Sequence, residues 1–411
     1  MSGSGRTFVG FGFGPIQSGL FLYEAYRSGN FDRYVIAEVD APLVDAVRAA
    51  GGRYQINIAD PDCVQQVAIE GVRLCQPANP EDRQELVRAV AGADELATAL
   101  PSVQFYDSGD RNSVVSLLAD GLAKRDPDRP AIIYAAENHN HAAESLADAL
   151  RARVPAPSLA KIQTLNTVVG KMSGVVTDGD TIARWKLAPL TPETQRAVLV
   201  ERFHHILISR VTLDGFQRGI QVFVEKDDLL PFEEAKLYGH NAIHALIGFL
   251  AERRGLTTMA QAAEYDDILA NARAAFLDES GAALIKKYGH LNEPLFTKDG
   301  YRASAEDLLQ RMFNPYLNDL VARVTRDARR KLAYDDRLFG TMRLALNQGI
   351  PPRYMARGAA AALLSPEISS IGSEQELRAV LGEIWGPQDD GWAETLIDLT
   401  WQAMQETGSM G

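Results

Sequence analysis

One segment of the sequence carries three side chains whose types and spacing could perform carbonyl–alcohol chemistry. They are Lys236, Asn241 and His244, within residues 232–244. At about 100° per residue of an α-helix, Asn241 is roughly 140° around from Lys236 and His244 is about 80° from it. One helical face could then present an ammonium, an amide and an imidazole to a common point. A lysine of lowered pKa could act as general base on a hydroxyl, while the amide donates to the developing alkoxide and the imidazole orients the substrate or the lysine.

Two other interpretations of this helix stay open at this point. Lys236 could be a surface lysine that pairs with Glu233 or lies beside His240, and the three side chains would then form a structural face. His240 and His244, four residues apart, could instead bind zinc. The sequence offers the metal interpretation the least support, because the glutamate of an HExxH motif is absent and no third ligand is evident.

A glycine-rich loop near the N-terminus is the second feature with chemical meaning. It covers residues 9–19, with the sequence VGFGFGPIQSG, after a short apolar strand and before an apolar helix. Gly12 and Gly14 allow a tight turn and let backbone N–H groups approach a pyrophosphate at the positive end of the helix. Gln17 stands where the G-x-G-x-x-G pattern has its third glycine. The loop predicts nucleotide binding, although such a turn can also be purely structural.

An acidic residue, Glu38, follows the second apolar strand at residues 34–37. A carboxylate at this place can accept hydrogen bonds from both ribose hydroxyls of an adenosine and repels a 2′-phosphate, which favours NAD over NADP. The alternative is a solvated acid at a strand end. Arg48 and Arg53 follow nearby and limit the preference for NAD.

The elements that must position these residues differ between the two parts of the chain. Strand-like and helix-like segments alternate at first, and the clearest strands are residues 7–11, 34–37, 95–100 and 131–135, with helices at 20–26 and 42–50. This alternation predicts a parallel sheet with helices on both faces. After about residue 180, amphipathic stretches predict helices at 193–207, 232–253, 265–288, 303–313 and 336–346, with one short strand-like piece at 220–224.

We therefore expect an α/β protein of two domains. The first, residues 1–183, is a Rossmann-type doubly wound sheet that binds a dinucleotide. The second, residues 184–411, is a mainly helical substrate domain.

The composition excludes several classes of protein. Among 411 residues, 42 Lys and Arg stand against 54 Asp and Glu, for a formal charge of −12. This charge argues against a protein that binds nucleic acid or anionic membrane through its whole surface. Cys63 and Cys75 cannot form a disulfide framework, no apolar run is near the roughly 20 residues of a membrane span, and the polar start MSGSGR is unlike a signal peptide. These observations predict a cytoplasmic enzyme or binding protein.

Several short motifs, taken in order, resemble those of one enzyme family. The spacing K-x4-N-x2-H is met by Lys236, Asn241 and His244. The other matches are an FGxGxIxxG loop at residues 11–19, the acid Glu38, residues 54–55, the pair Glu137-Asn138, residues 279–288 and residues 311–332. With these motifs the sequence resembles the polyol-specific long-chain dehydrogenases, the mannitol dehydrogenase family, over most of its length.

The resemblance implies a role for each matched residue. Lys236 would be the general base, Asn138 and Asn241 would polarise the reacting carbonyl, and His244 would help to hold the substrate. Glu233 would relay the proton to solvent and Arg311 would bind substrate. The residues that the resemblance assigns to the cofactor are Gly12, Gly14, Ile16, Gln17, Glu38 and Thr98. It implies NAD as the cofactor, no metal, and a monomer or weak dimer.

Three departures from the family pattern bear on the substrate. Gly170 stands where the family's N-x-x-V-D-R segment has an aspartate, and His139 and His141 follow Asn138 unexpectedly. Gln17 replaces a loop glycine. The first two lie near the expected substrate site and indicate a different polyol or a sugar derivative.

The leading hypothesis is a metal-independent, NAD-dependent dehydrogenase that interconverts a polyol, with mannitol 1-phosphate as one candidate, and its keto sugar. One alternative is a dehydrogenase or reductase of a free polyol, a hexuronate or another modified sugar. A second alternative, from a different class, is an NAD-binding sensor without catalysis. The basic run Arg329, Arg330 and Lys331 could face a sugar phosphate or be a solvated helix end.

Overall fold

The computed structural model describes residues 5–203, 205–368 and 370–408. Residues 1–4, which begin the polar start MSGSGR, lie outside the described residues. The chain divides into two compact units, Met1–Leu230 and Pro231–Gly411. Residues 184–230, which the sequence assigned to the helical domain, fall in the first unit in this division because they supply strands to its sheets.

The strands all lie in the first unit as far as the chain is described. They are β1 (Thr7–Phe11), β2 (Arg33–Ala37), β3 (Tyr54–Ala59), β4 (Val64–Ile69), β5 (Val72–Cys75), β6 (Glu95–Thr98), β7 (Ala131–Ala135), β8 (Ile162–Val168), β9 (Ser173–Val176), β10 (Ala197–Glu201), β11 (Leu207–Ser209) and β12 (Val224–Lys226).

Eight of these strands form one sheet, in the order β12-β11-β8-β7-β6-β1-β2-β5. Its strands pair in parallel except for β8 with β11, which are antiparallel. The chain builds outward from β1 through β2 to β5 and then crosses to β6 on the other side, so the strand order reverses between β1 and β6. In open sheets of this kind, ligands bind outside the carboxyl ends of the strands at such a reversal.

Both faces of this sheet are buried, as the alternation along β1 shows. Phe8 belongs to an apolar cluster on one face, with Phe21, Tyr134 and Phe223. Its neighbour Val9 belongs to the cluster on the other face. Successive side chains of a strand point to opposite faces, so a strand that is apolar throughout predicts helices on both sides.

The helices of the first unit are α1 (Leu22–Ser28), α2 (Ala41–Ala49), α3 (Pro80–Gly92), α4 (Val114–Leu122), α5 (Ala142–Arg151), α6 (Ala156–Leu159) and α7 (Gly179–Arg184). A π-helical turn, Gln17–Phe21, leads directly into α1, and a short 3₁₀ turn covers Val103–Phe105.

A second sheet in the first unit, with the order β4-β3-β10-β9, was not predicted from the sequence. The helix predicted at residues 193–207 is wrong, because β10 pairs there with β3 and β9. A short, continuous apolar run suits a buried strand as well as a buried helix, and here each residue of β10 is buried. The strand-like piece at 220–224 is shifted, since β12 begins at Val224.

The second unit is helical in its described residues. Its helices are α8 (Leu230–Glu234, which begins at the last residue of the first unit), α9 (Ala242–Arg253), α10 (Asp266–Ala274), α11 (Ala282–Tyr288), α12 (Lys298–Met312), α13 (Val321–Thr325), α14 (Ala328–Lys331), α15 (Phe339–Asn347), α16 (Arg353–Leu363), α17 (Glu374–Trp385) and α18 (Ala393–Gly408). Short 3₁₀ turns cover Met259–Glu264, Gly289–Leu291, Pro294–Phe296 and Pro315–Leu317.

Two π-helical turns interrupt these helices. Ala235–Asn241 joins α8 to α9, and Ala275–Gly281 joins α10 to α11. The long helices predicted at residues 232–253 and 265–288 are thus present, each with a π-helical turn inside it. Among the described residues, no helix has both the length and the apolar character needed to cross a membrane.

Candidate active site

The glycine loop lies at the carboxyl end of β1, beside the reversal of strand order. Gly12 has a φ of +82°, and a Cβ placed on it would lie 2.9 Å from the carbonyl oxygen of Ala99, at the end of the neighbouring β6. An L-residue is disfavoured here by both its backbone conformation and its side chain. A Cβ on Gly14, in contrast, would meet no described atom within 4 Å, so this side of the loop is open.

The loop continues directly into a helix, and two hydrogen bonds to one backbone carbonyl stabilise this junction. The N–H of Ser18 and the hydroxyl of Ser18 both donate to the Gly14 carbonyl, each at 2.9 Å. Ile16, a predicted cofactor residue, is half-buried and packs against the apolar cluster of the sheet. The loop therefore presents backbone at an open helix start, the arrangement that binds phosphate groups in proteins.

Glu38 connects this loop to the turn after β2. One carboxylate oxygen accepts the N–H of Phe13 at 2.7 Å, and the other accepts the N–H groups of Val39 and Asp40 at 2.7 and 2.9 Å. A carboxylate has about four lone-pair sites, so the half-buried group retains capacity for a ribose hydroxyl. The residues present therefore fit the adenosine side of a dinucleotide.

The two arginines that could have favoured a 2′-phosphate have other partners. Arg48 donates to Asp82 at 2.6 Å and to the Leu74 carbonyl at 2.8 Å. Arg53 forms an ion pair with Glu70 at 3.4 Å. Each arginine is thus paired with an acid within the first unit, and the charged group that directly follows β2 is the carboxylate of Glu38.

Gln17 occupies the interior beneath the loop. Its side chain is fully buried, and a Cβ on Gly10 would lie 2.0 Å from its amide nitrogen. Neither amide atom has a hydrogen-bond partner among the described residues. The glutamine at the third glycine position is accommodated because β1 has a glycine opposite it, and the side chain does not reach the open side of the loop.

Thr98, another predicted cofactor residue, is part of a buried network at the ends of β6 and β7. Its hydroxyl donates to Glu137 at 2.9 Å, and the backbone N–H of Leu100 donates to the other Glu137 oxygen at 2.9 Å. The hydroxyl of Tyr106 also donates to Glu137, and burial together with this carboxylate raises the pKa of Tyr106 far above its usual value. Glu137 thereby fixes the end of β7, from which the exposed Asn138 follows.

The residues after Asn138 and before β9 carry two of the three departures from the family pattern. His139 and His141 are exposed, and their rings lie 6.2 Å apart, centroid to centroid. A Cβ on Gly170 would lie 3.6 Å from the ring of Phe203. The next residue, Lys171, is buried and donates to the carbonyls of Glu201 and Phe203 at 2.5 and 2.8 Å.

In the second unit, the π-helical turn Ala235–Asn241 contains both Lys236 and Asn241. The N–H of Ala242 donates to the carbonyl of Leu237, five residues back, and to that of Gly239. Residues five apart in such a turn take the place that residues four apart have in an α-helix, one above the other on a face. The regular helix assumed from the sequence would have kept Lys236 and Asn241 about 140° apart.

The environment of Lys236 favours its neutral form. Burial is the main cause that lowers the pKa of Lys236, the charge of Glu233 acts in the opposite direction, and Arg337 adds to the lowering, so that the pKa is about 8. An ordinary lysine has a pKa of about 10.4. A lysine that exchanges its proton near neutral pH suits general acid–base chemistry, and Glu233 is close enough to influence it.

His244 lies in a hydrogen-bonded network that begins on α9. Its Nε2 is 2.7 Å from one oxygen of the buried Asp319, and Arg323 donates to the other oxygen at 2.6 and 2.9 Å. Burial alone would raise the pKa of Asp319, but the hydrogen bond and charge of His244, with Arg323, hold it below its usual range. This network fixes the orientation of the His244 ring.

The remaining predicted residues of the second unit lie around this helix. Arg311 is largely buried, pairs with Asp307 at 3.4 Å, and helps to lower the pKa of His240, chiefly an effect of burial. The basic run is paired within the unit: Arg329 with Glu383, Arg330 with Asp336, and Lys331 with the carbonyl of Arg326. Across the described part of the chain, no group of three or more His, Cys, Asp or Glu side chains is placed to hold a metal ion.

Comparison with known proteins identifies the family. A family model described as the mannitol dehydrogenase C-terminal domain matches residues 228–365. Mannitol-1-phosphate 5-dehydrogenase of Anoxybacillus flavithermus (strain DSM 21510 / WK1) is 31% identical over 363 residues, which cover 87% of this chain and 86% of that protein. The chain belongs to the mannitol dehydrogenase family. As a member of this family it is a dehydrogenase that acts on CH–OH groups.

Other relatives extend the match to nearly the whole length. Mannitol-1-phosphate 5-dehydrogenase of Bacillus pumilus (strain SAFR-032) is 28% identical over 402 residues, 95% of this chain and 98% of that protein. A Pseudomonas fluorescens mannitol 2-dehydrogenase, solved with NAD and D-mannitol, has a TM-score of 0.71 at 14% identity and covers 100% of this chain and 93% of its own. A substrate-free D-sorbitol dehydrogenase has a TM-score of 0.74 at 15% identity, with 99% and 94% coverage. These structures confirm the predicted fold class, a Rossmann-type sheet followed by a helical domain.

Two features of this mannitol dehydrogenase family member were missed in the sequence. Asp319 is 75 residues from His244, and no local motif connects them. The π-helical turn has no recognisable sequence signal, although the spacing of five between Lys236 and Asn241 becomes a single-face spacing only with such a turn.

Proposed function

We propose that this member of the mannitol dehydrogenase family uses NAD to interconvert a polyol and its keto sugar, with Lys236 as the general base and without a metal ion. The observation that carries the proposal is the half-buried Lys236, whose pKa is lowered to about 8, on one helical turn with Asn241. The relatives named above are mannitol-1-phosphate 5-dehydrogenases, which makes mannitol 1-phosphate the first substrate to test.

The first unit supports NAD as the cofactor. Gly12 and Gly14 form the open loop at the end of β1. The carboxylate of Glu38 can accept hydrogen bonds from ribose hydroxyl groups and repels a 2′-phosphate. Arg48 and Arg53 form ion pairs with Asp82 and Glu70. Gly12, Gly14 and Glu38 would hold NAD, which would supply an acceptor for the hydride of the carbinol carbon.

The proton leaves the substrate by a separate route. In the direction of oxidation, the neutral amine of Lys236 accepts the proton of the reacting hydroxyl as the carbon–oxygen double bond forms. The amide N–H of Asn241 donates to this oxygen while it carries negative charge, which lowers the barrier as an oxyanion hole does, and the family resemblance implies a second such donor in Asn138. These donors and the lysine supply the polarisation that a metal ion supplies in other dehydrogenases.

Three further residues complete the proposed roles. His244, held by Asp319, donates to or accepts from a substrate hydroxyl and so fixes the orientation of the polyol. Glu233 passes the proton from Lys236 to solvent, since its charge acts on the lysine. Arg311 binds a polar group of the substrate.

Replacement of Lys236 by alanine tests the proposal. General acid–base catalysis contributes about 100- to 10,000-fold, so kcat for oxidation of the polyol should fall by about that factor in Lys236→Ala. The affinity for NADH, measured by fluorescence titration, should stay unchanged because the lysine has no role in cofactor binding. Near-normal turnover in Lys236→Ala would contradict the proposal.

A second candidate function is the oxidation or reduction of a sugar other than mannitol 1-phosphate, and a panel of substrates tests it. Gly170, in place of the family aspartate, and the exposed His139 and His141 favour a sugar other than mannitol 1-phosphate. Initial rates with NAD should be compared for mannitol 1-phosphate, free polyols and hexuronate-derived alcohols. Activity on the unphosphorylated compounds alone would favour the second candidate, and NADH binding without turnover of any of them would indicate a sensor.

A further inference from the structure

The π-helical turn that carries Lys236 and Asn241 leaves one backbone carbonyl in an unusual position. In a regular α-helix the carbonyl of Tyr238 accepts the N–H of Ala242, four residues later. Here that N–H donates to Leu237 and Gly239 instead. A partly buried carbonyl that loses its helical donor needs another partner, because a polar group that is shielded from water and unpaired destabilises the conformation that contains it.

Side chains from two other helical segments supply the donors. The hydroxyl of Ser280, in the second π-helical turn Ala275–Gly281, donates to the Tyr238 carbonyl at 2.7 Å. The hydroxyl of Thr341, on α15, reaches the same carbonyl at 3.2 Å but is closer to the carbonyl of Arg337, at 2.5 Å. A hydroxyl has one hydrogen. Ser280 is therefore the principal donor and Thr341 the secondary one.

The position of Ser280 is itself fixed by contacts around it. Ser280 and Thr341 are both fully buried. The hydroxyl of Tyr301 lies 3.3 Å from Ser280 Oγ and donates to it, because the hydrogen of Ser280 is directed at Tyr238. A Cβ on Gly239 would lie 2.9 Å from the Tyr301 hydroxyl, so the glycine inside the π-helical turn is what allows Tyr301 to approach.

We propose that Ser280 is a positioning residue for catalysis, which maintains the π-helical turn and thereby holds Lys236 and Asn241 on the same helical face. This inference rests on the proposed function, in which those two residues act on the same substrate oxygen. Neither Ser280 nor Thr341 needs to touch substrate or cofactor. Their effect passes through the Tyr238 carbonyl, and the relaxed alternative is an α-helical turn in which Lys236 and Asn241 are about 140° apart.

The test compares Ser280→Ala with a matched loss of a buried hydroxyl elsewhere. Thr400→Val is the control, since Thr400 is fully buried and donates at 2.7 Å to the Leu396 carbonyl within α18. We expect kcat for polyol oxidation to fall roughly 10- to 100-fold in Ser280→Ala, as misplacement of a catalytic group by about 1 Å can cause, and to stay near wild type in Thr400→Val. Melting temperatures of the two variants should fall by similar amounts.

The pH profile separates positioning from a general loss of structure. A lysine released from its half-buried position regains water, so the pH midpoint of kcat should move from that of the wild type toward the higher value of an ordinary lysine in Ser280→Ala. Partial unfolding would lower kcat at every pH without moving the midpoint. Should Ser280→Ala fail to accumulate, Thr341→Val should show both changes in smaller size, and Thr341→Ser should restore the wild-type values.

The outcomes distinguish this inference from the proposed function. If Lys236→Ala is inactive and the wild-type profile titrates near pH 8, but Ser280→Ala and Thr341→Val keep the kcat and midpoint of Thr400→Val, then the positioning role is overturned and the function stands. If Lys236→Ala retains full activity, the proposed function fails and the positioning role fails with it.

Discussion

Asp319 is the residue that gives His244 a defined orientation. Its two oxygens are divided between partners, one to the His244 ring and the other to Arg323. A buried carboxylate that accepts from a histidine ring nitrogen fixes which nitrogen carries the proton and which is free to meet the substrate. The sequence predicted His244 but could not predict Asp319, because the contact depends on how α9 packs beside the segment before α13.

Replacement of Asp319 by asparagine should therefore reduce catalysis more than stability. The amide keeps the shape of the carboxylate, but its NH2 group cannot accept a hydrogen bond. Either the His244 ring or Arg323 would therefore face a donor instead of an acceptor. We expect kcat to fall by about 10- to 100-fold with little change in the KM for NAD. Steady-state rates over a range of NAD concentrations, with the polyol saturating, measure both quantities. Asp267→Asn, which breaks the exposed ion pair of Asp267 with Arg254, is the control. Equal rates in the two variants would show that Asp319 does not support the reaction.

At the scale of the element, the two central glycines of the glycine loop, Gly12 and Gly14, differ in why a glycine is needed. Gly12 needs a positive φ and closely approaches the Ala99 carbonyl, whereas Gly14 has open space around it. The sequence showed both as glycines of a nucleotide loop. It could not separate the glycine required by the fold from the glycine that leaves room for a ligand, because that difference arises from the neighbouring strand β6.

Alanine at these two positions should have separable effects. Gly12→Ala should lower the free energy of unfolding of the cofactor-free protein by about 1–2 kcal/mol, since an L-residue is disfavoured at positive φ. Gly14→Ala should leave this free energy within about 0.5 kcal/mol of wild type, as surface substitutions do, and weaken NADH binding because the Cβ occupies the open side of the loop. Denaturant titrations and NADH fluorescence measure the two quantities. Strong destabilisation by Gly14→Ala would contradict this account of the loop.

The lysine helix shows where prediction from periodicity reaches its limit. Residue types and family spacing predicted Lys236, Asn241 and His244 as site residues, and the predicted helix is present as α8, the π-helical turn and α9. The rotation of about 100° per residue of a regular α-helix does not hold inside the π-helical turn. The turn is maintained by tertiary contacts from Ser280 and Thr341, which are distant in sequence and leave no local pattern.

At the scale of the whole molecule, the alternating pattern of the first part of the chain predicted the Rossmann-type sheet correctly. The strands β1, β2, β6 and β7 lie at or close to the predicted residues. The second sheet was missed for a physical reason: β4 has its two exposed glutamines side by side between mostly half-buried apolar residues, and β10 is short and wholly buried, so neither has the clear alternation of a half-buried strand. Residues 184–230, which the sequence analysis placed in the helical domain, supply β10, β11 and β12 to sheets of the first unit.

The net charge also has a different meaning once the residues are placed. The formal charge of −12 describes the whole chain. The neighbourhood of Lys236 is different, because Arg337 contributes a positive charge there and Arg311 does so at His240. Positive charge close to a lysine lowers its pKa and makes the neutral base available at a milder pH.

The most direct test of the central claim, that Lys236 is the general base, is the pH dependence of kcat/KM in both directions. Oxidation needs the neutral amine, whose fraction grows as the pH rises through the pKa of about 8. Reduction needs the ammonium, which is lost over the same range. We therefore predict that kcat/KM for polyol oxidation rises and then levels as the pH increases through about 8, that kcat/KM for ketose reduction falls there, and that Lys236→Ala loses both transitions. Profiles that are flat across this range, or that persist in Lys236→Ala, would contradict the claim.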